Sequence, residues 1–233
     1  MSGAGTILLV EDEPTLQRIL GSVLGDAGYR IEAVGTAEQA LERLEDGADV
    51  DLVLTDKNLP RSTGLQLLAD VRRAERQGRK PTGVVVITGY PGRDSALQAL
   101  LDDADGYLVK PFRSLSHAVE EVQRVLGSNL AQRRATARRT RQVVEALEGA
   151  GDAAGLRVQV LDRPTAALAL QQRGAQLVAD NADVVVAADV ASLLAAPAPC
   201  GRVLLDSGAT LADVIALIGA GGAAVVDDRW VSP

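Results

Sequence analysis

The chain has 233 residues, 47% of them hydrophobic and 24% charged, with a net charge of −7. That length suits two domains of ordinary size. The acidic balance argues against general binding to nucleic-acid phosphates, and no stretch reaches the roughly 20 apolar residues that cross a bilayer.

In chain order, short β-branched runs alternate with helical segments. TILLV comes first, then a helix over about 14–27, RIEAV, and a helix over about 37–45. DLVLT, a helix over 64–76, GVVVIT, a helix over 93–101 and GYLV follow. Runs such as ILLV and VVVI are apolar on both faces, as strands of a parallel sheet covered by helices on both sides must be. Five β/α repeats predict an α/β fold with a doubly wound, five-stranded parallel sheet.

From Ser114 a fifth helix with Leu115, Val119, Val122 and Leu126 on one face runs toward a further helical segment at 130–148. That segment carries Arg133, Arg134, Arg138, Arg139 and Arg141 and ends in GAGDAAG. It reads as an arginine-rich helical connector, 128–150, closed by a flexible joint. From 151 to 233 the alternation resumes as a smaller α/β module with nine Asp, five Arg and no Lys or Glu.

The N-terminus, MSGAGTILLVEDE, lacks a basic n-region, so no secretory signal is expected and the expected compartment is the cytoplasm. Cys200 and His117 are single, which excludes an intrachain disulfide and a His/Cys zinc cluster. A metal would have to be hard and oxygen-bound. Lysine is scarce, with only Lys57, Lys80 and Lys110 against 21 arginines, so each lysine's position is informative.

In a doubly wound sheet the carboxyl ends of the strands line the ligand crevice. Glu11 and Asp12, Asp56, Thr88 and Lys110 all fall at such ends. Carboxylates brought this close repel unless positive charge compensates them, and a divalent ion with an ammonium supplies it. Mg²⁺, which takes one or two carboxylates and keeps waters or phosphate oxygens, suits that arrangement.

At these residues a family resemblance becomes specific: ILLVEDE, LTDKNLPRSTG, VITGY and GYLVKPF resemble the receiver-domain signatures of bacterial two-component response regulators. It covers residues 1 to about 127 and implies a flavodoxin-like strand order of 2-1-3-4-5. It further implies that Asp56 is the phosphoacceptor for a histidine kinase or phosphotransfer protein. Glu11, Asp12, Asp56 and the backbone carbonyl of Asn58 would hold Mg²⁺. Lys110 would neutralise the phosphoryl group, Thr88 would bond it, and Tyr107 would be the aromatic switch. The peptide before Pro111 matches the family's cis bond, and Pro60 and Gly64 its loop after the phosphoacceptor. Glu11 stands where aspartate is commoner, and Leu59 where methionine is.

The last 83 residues show no helix-turn-helix and no basic recognition helix, so DNA is not the expected target. ADVVVAAD resembles VDLVLTD, GRVLLDSG resembles GVVVITGY, and LIGAGGAAVVDD resembles DDADGYLVKPF, which suggests a shortened, degenerate receiver-like domain. Where the first copy has Lys110 the second offers Val226 or Asp227, and no lysine follows position 110.

Asp162, Asp180, Asp189 and Asp206 near strand ends are helix caps or a ligand site, with capping the expected reading. Gly219, Gly221 and Gly222 read as a turn, and Trp230 as packing for the C-terminus. The arginine run admits a solvated face, a surface for an acidic partner, or a nucleic-acid contact. The expected role is a phosphorylation switch acting through protein contacts of its second domain with a downstream protein or a homodimer partner. The alternatives are a transcriptional regulator that touches DNA through the arginines and a regulator with a ligand-binding or enzymatic C-terminal module.

Overall fold

A computed structural model of the chain describes residues 4–112, 114–197, 199–205 and 208–226. It divides into two compact units, residues 1–130 and 131–233.

The first unit runs β1 (Ala4–Val10), α1 (Pro14–Asp26), β2 (Tyr29–Val34), α2 (Ala37–Glu45), β3 (Leu52–Asp56), α3 (Gly64–Arg76), β4 (Gly83–Thr88), α4 (Arg93–Leu101), β5 (Gly106–Val109) and α5 (Leu115–Leu126). Its sheet is parallel with the order β2-β1-β3-β4-β5. Every residue of β3 and β4 is buried, which is why those strands read as unbroken apolar runs. One apolar cluster joins Ile7, Leu9, Leu52, Leu54, Val85, Ile87 and Leu108 to Leu20 and Leu24 of α1 and to Ala118, Val122 and Val125 of α5. Each valine, leucine or isoleucine among them contributes roughly 1.5–3 kcal/mol by leaving water.

Local signals set the helix starts. Thr36, Thr63 and Ser114 accept hydrogen bonds from the backbone N–H groups of Gln39, Gln66 and His117, so each caps an otherwise unsatisfied donor. Gly28 and Gly78 end α1 and α3 at φ of 96° and 102°, where a side chain would be strained. Gly127 to Asn129 separate α5 from the next helix, so the two are not one continuous rod.

The second unit is built from α6 (Leu130–Leu147, whose first residue falls in the first unit), β6 (Arg157–Val160), α7 (Pro164–Gln172), β7 (Gln176–Leu177), β8 (Val184–Ala187), α8 (Val190–Ala195), β9 (Gly201–Leu205), α9 (Leu211–Ala220) and β10 (Ala223–Val226). Its parallel sheet has the order β10-β9-β8-β6-β7. No helix lies between β7 and β8.

The arginine-rich segment differs from a connector. Val143, Ala146 and Leu147 of α6 are part of the second unit's apolar core, with Val158, Ala166, Leu170, Val184 and Val203. Nor is the glycine-rich stretch after it a loose joint. Ala153 is fully buried, its N–H donates to the Arg173 carbonyl at 2.8 Å, and the Arg173 guanidinium returns a bond to the Gly151 carbonyl at 3.0 Å.

The arginines themselves divide. Arg133 donates to the Ile218 carbonyl at 3.2 Å, and the carbonyls at the C-terminal end of α9 suit a cation there. Arg134 is buried, while Arg138, Arg139 and Arg141 are at least partly open to solvent. Asp189 caps α8 through the Ser192 N–H, and Asp162 and Asp180 lie at the surface. Gly221 and Gly222 form a turn at φ of 76° and 59°. Asp206, Asp227 and Trp230 lie outside the described residues.

Candidate phosphoacceptor site

Parallel pairing brings the ends of β1, β3 and β4 to one edge. Val10 pairs with Thr55, Asp56 with Ile87, and Thr88 with Val109. Glu11, Asp56, Thr88 and Lys110 therefore leave adjacent strands at nearly the same level, although up to 99 residues separate them in the chain.

The Lys110 ammonium lies between two carboxylates, donating to Glu11 Oε2 at 2.9 Å and to Asp56 Oδ2. Glu11 and Asp56 are both buried, at 3% and 7% exposure, so this is a charge cluster largely withdrawn from water. Burial pushes the Glu11 carboxyl above its ordinary value, Lys110 opposes that push, and the nearby Asp56 charge adds to it. Burial alone would pull Lys110 down, but its bonds to Asp56 and Glu11 outweigh burial and hold it above its ordinary value. The ammonium is thus held as a cation shared between two carboxyl groups.

The backbone around Asp56 is held tightly. The Asn58 N–H donates to Asp56 Oδ1 at 2.7 Å, and the Lys57 ammonium donates to the Tyr90 carbonyl at 3.1 Å. The Thr55 hydroxyl bonds the Asp56 carbonyl at 3.0 Å. Gly64 opens α3 directly against that carbonyl, where a Cβ would collide with it, so glycine is required by close approach and not by dihedral angle.

On the β1 side, Gln17 of α1 donates to the carbonyls of Glu11 at 3.1 Å and Val34 at 3.0 Å, fixing the loop that carries Glu11. Sequence reading passed over Gln17. Its only signal was a polar residue in the first turn of a helix that follows a strand-end carboxylate.

Thr88 is fully buried, and its hydroxyl accepts the Tyr90 N–H at 3.1 Å. Tyr107 is buried on β5 at 5% exposure, and the Lys110–Pro111 peptide is cis. Asp12 is placed differently from its neighbour. It is exposed and bonds neither Glu11 nor Asp56. Among the described residues no group of three His, Cys, Asp or Glu side chains is arranged to hold a metal ion.

A larger network at the opposite edge was also missed from sequence. Arg72 of α3, only 4% exposed, donates to Asp105 at 2.7 Å, Glu75 at 2.8 Å, and the carbonyls of Thr82 and Asp103 at 2.9 and 3.0 Å. Its signal was a charged residue inside the apolar stripe Leu67, Leu68, Val71.

Register also locates the second unit's counterpart of Asp56. Leu52 pairs with Gly83 as Val184 pairs with Gly201, so the residue four places on, Asp56 in β3, corresponds to Ala188. Ile87 pairs with Leu108 as Leu205 pairs with Val226, which sets Val226 opposite Leu108 and not opposite Lys110.

No helix among the described residues is long and apolar enough to cross a membrane. The response regulator receiver domain family matches residues 7–123. The chemotaxis protein CheY1 of Helicobacter pylori is 35% identical over 126 residues, which are 53% of this chain and 98% of that protein. The chemotaxis protein CheY of Pseudomonas aeruginosa is 36% identical over 125 residues, 52% of this chain and 98% of that one. Among solved structures, the chemotaxis response regulator CheY4 of Vibrio cholerae superposes with a TM-score of 0.47 at 26% identity, covering 52% of this chain and 98% of that one. A family match over half of the chain, and relatives covered almost end to end, give one conclusion: this chain belongs to the response regulator receiver domain family of two-component signalling.

Proposed function

We propose that Asp56 accepts a phosphoryl group from the phosphohistidine of a histidine kinase or phosphotransfer protein, in the cytoplasm. The observation that carries this reading is the buried Lys110 ammonium shared by Glu11 and Asp56 at the carboxyl ends of adjacent parallel strands. An Asp56 oxygen attacks phosphorus, a P–O bond forms as the P–N bond breaks, and the departing imidazole keeps the electron pair and takes up a proton. Such transfer depends chiefly on positioning and on neutralising developing charge.

The donor set fits Mg²⁺. Glu11, Asp56 and the Asn58 carbonyl offer hard oxygens, with Asp12 next in sequence to support the ion through water. Mg²⁺, when bound, adds positive charge on the phosphoryl oxygens. Lys110 turns from the Asp56 carboxylate to a phosphoryl oxygen, and Asn58 N–H and Gln17 keep the two loops in place. The Thr88 hydroxyl gives up the Tyr90 N–H to meet the new anion, and Tyr107 repacks behind it. These changes bias two packings of the face formed by α4, β5 and α5.

The output then runs through protein contacts of the second unit, with a downstream protein or a second copy of the chain. Of the five arginines that a nucleic-acid contact would use, Arg133 is bonded to the Ile218 carbonyl and Arg134 is buried, which favours protein contacts over DNA.

The test is incubation with acetyl phosphate and Mg²⁺ followed by intact mass. Wild type should gain one phosphate, Asp56→Asn none, and Lys110→Ala far less than wild type. A gain by Asp56→Asn equal to wild type defeats the reading.

A further inference from the structure

Strand alternation turns Leu8 and Val53 to the sheet face opposite α1 and α5, where α2 and α3 pack. The last turns of α2 and α3 do not close on each other. A cavity of about 290 Å³ lies between them, toward the end of α3 away from Gly64 and Asp56. Its floor is deep and mostly apolar, formed by the buried Leu44, Val71 and Thr82. Its walls are the half-buried Leu41 and Ala74, and the small side chain of Ala74 leaves the space open.

Four charged side chains line the cavity with these residues: Glu45, Asp70, Arg73 and Arg79. Asp70 and Arg73, three residues apart on α3, pair with each other at 2.8 Å. The other two are not satisfied. The Glu45 carboxylate has no hydrogen-bond or ion-pair partner among the described residues, and it stands in the last turn of α2, where the helix end favours a cation over an anion. The Arg79 guanidinium reaches only the Ala48 carbonyl, at 3.5 Å, the outer limit of a hydrogen bond. Its backbone is nevertheless fixed. Gly78 turns the chain at φ of 102°, and the Arg79 N–H donates to the Ala74 carbonyl at 3.1 Å.

An apolar floor with one open cation and one open anion is complementary to a molecule that carries a carboxylate and an ammonium at one end and an apolar group at the other. The cavity is small for a ligand site, which limits the occupant to roughly ten non-hydrogen atoms. We propose that the cleft between α2 and α3 binds a free α-amino acid with a branched or aromatic apolar side chain. Its carboxylate meets Arg79, its ammonium meets Glu45 and the carbonyl end of α2, and its side chain leaves water against Leu41, Leu44 and Val71.

The second unit has no counterpart of this cleft's first wall. Taken from its other edge, its sheet has the first sheet's order, yet no helix lies between β7 and β8. There Gln159, the register equivalent of Leu8, donates to the Ala179 carbonyl at 2.6 Å. The site therefore belongs to the first unit, and it is independent of the phosphoacceptor reading of Asp56.

The test is isothermal titration calorimetry of the full chain with L-leucine and L-phenylalanine. At least one should bind with a Kd of about 1 mM or tighter, as a ligand of this size allows. Leucinamide, which lacks the carboxylate, and 4-methylpentanoate, which lacks the ammonium, should bind roughly tenfold or more weakly, since each loses a charge-assisted contact. Arg79→Gln should weaken the amino acid by a similar factor, and Ala74→Leu, which fills the cavity, should abolish binding. Both variants should take up phosphate as wild type does. Should Ala74→Leu fail to fold, Arg79→Gln, at the cavity's edge, still decides. No binding of either amino acid at roughly 10 mM overturns the proposal. So does binding that survives Arg79→Gln unchanged, or analogues that bind as tightly as leucine.

Discussion

Replacing Arg72 by leucine tests how the first unit tolerates a buried charge. Its guanidinium meets the carboxylate of Asp105, which is fully buried and also accepts the Val84 N–H at 3.0 Å. Arg72→Leu takes away that cation and four hydrogen bonds while leaving the Asp105 carboxylate in place. Breaking a buried pair from one side costs about 3–5 kcal/mol, a large share of the roughly 5–15 kcal/mol that holds a domain together. For a unit of this size the loss corresponds to a melting temperature lower by roughly 10–20 °C. A carboxylate buried this deeply is costly once that guanidinium is gone, even with Arg124 nearby, so Asp105→Asn added to Arg72→Leu should recover part of the loss. Asparagine keeps an oxygen for the Val84 N–H and carries no charge. Urea denaturation of the full chain, followed by circular dichroism, measures wild type and both variants. A cost under about 1 kcal/mol for Arg72→Leu, or a double variant no more stable than the single one, would refute the argument.

Arg61 adopts φ of 66° in the loop after Asp56, a left-handed conformation that costs a residue with a side chain roughly 1–2 kcal/mol, and its ion pair with Glu38 is loose and exposed. Arg61→Gly should therefore raise the thermal midpoint, and a lower midpoint would show that the arginine makes a compensating contact. In the second unit, the Arg157 hydrogen bond holds the Asp183 carboxyl below its ordinary value of 3.8. A depressed carboxyl contributes stability above its unfolded value and loses it as pH falls through the folded one. Asp183→Asn should accordingly flatten the second unit's loss of stability between neutral pH and the region below 3.8. An acid limb as steep as that of wild type would count against the pair.

The first sheet was legible in the sequence because parallel strands buried on both faces leave continuous apolar runs, and its site was legible because strand ends are fixed by those runs. Asp56, Thr88 and Lys110 could be placed on one edge without knowing any distance. Arg72 and Gln17 could not, since their roles depend on which carbonyls the fold brings within reach. The same limit governed α6. Its five arginines hid an apolar stripe of alanine, threonine and valine too small-sided to register, and Val143, Ala146 and Leu147 find their partners only in strands formed later in the chain. A helix that packs on a sheet following it looks, from sequence alone, like a linker.

The matching registers of the two sheets make a last prediction about where the chemistry can occur. Restoring a carboxylate at the phosphoacceptor's place with Ala188→Asp reproduces one part of the first site. Transfer needs more than a nucleophile, because the charge developing on phosphorus must be neutralised by groups already in position. In the first unit the proposed transfer gives that work to Lys110, held beside Glu11 and Asp56. No lysine follows position 110 in this chain, so the second unit has no ammonium to bring to residue 188. The double variant Asp56→Asn, Ala188→Asp should take up no phosphate from acetyl phosphate and Mg²⁺ by intact mass, although it keeps one candidate carboxylate at a strand end. A phosphate gained at residue 188 would show that transfer to a strand-end carboxylate does not require a lysine, and would refute the argument.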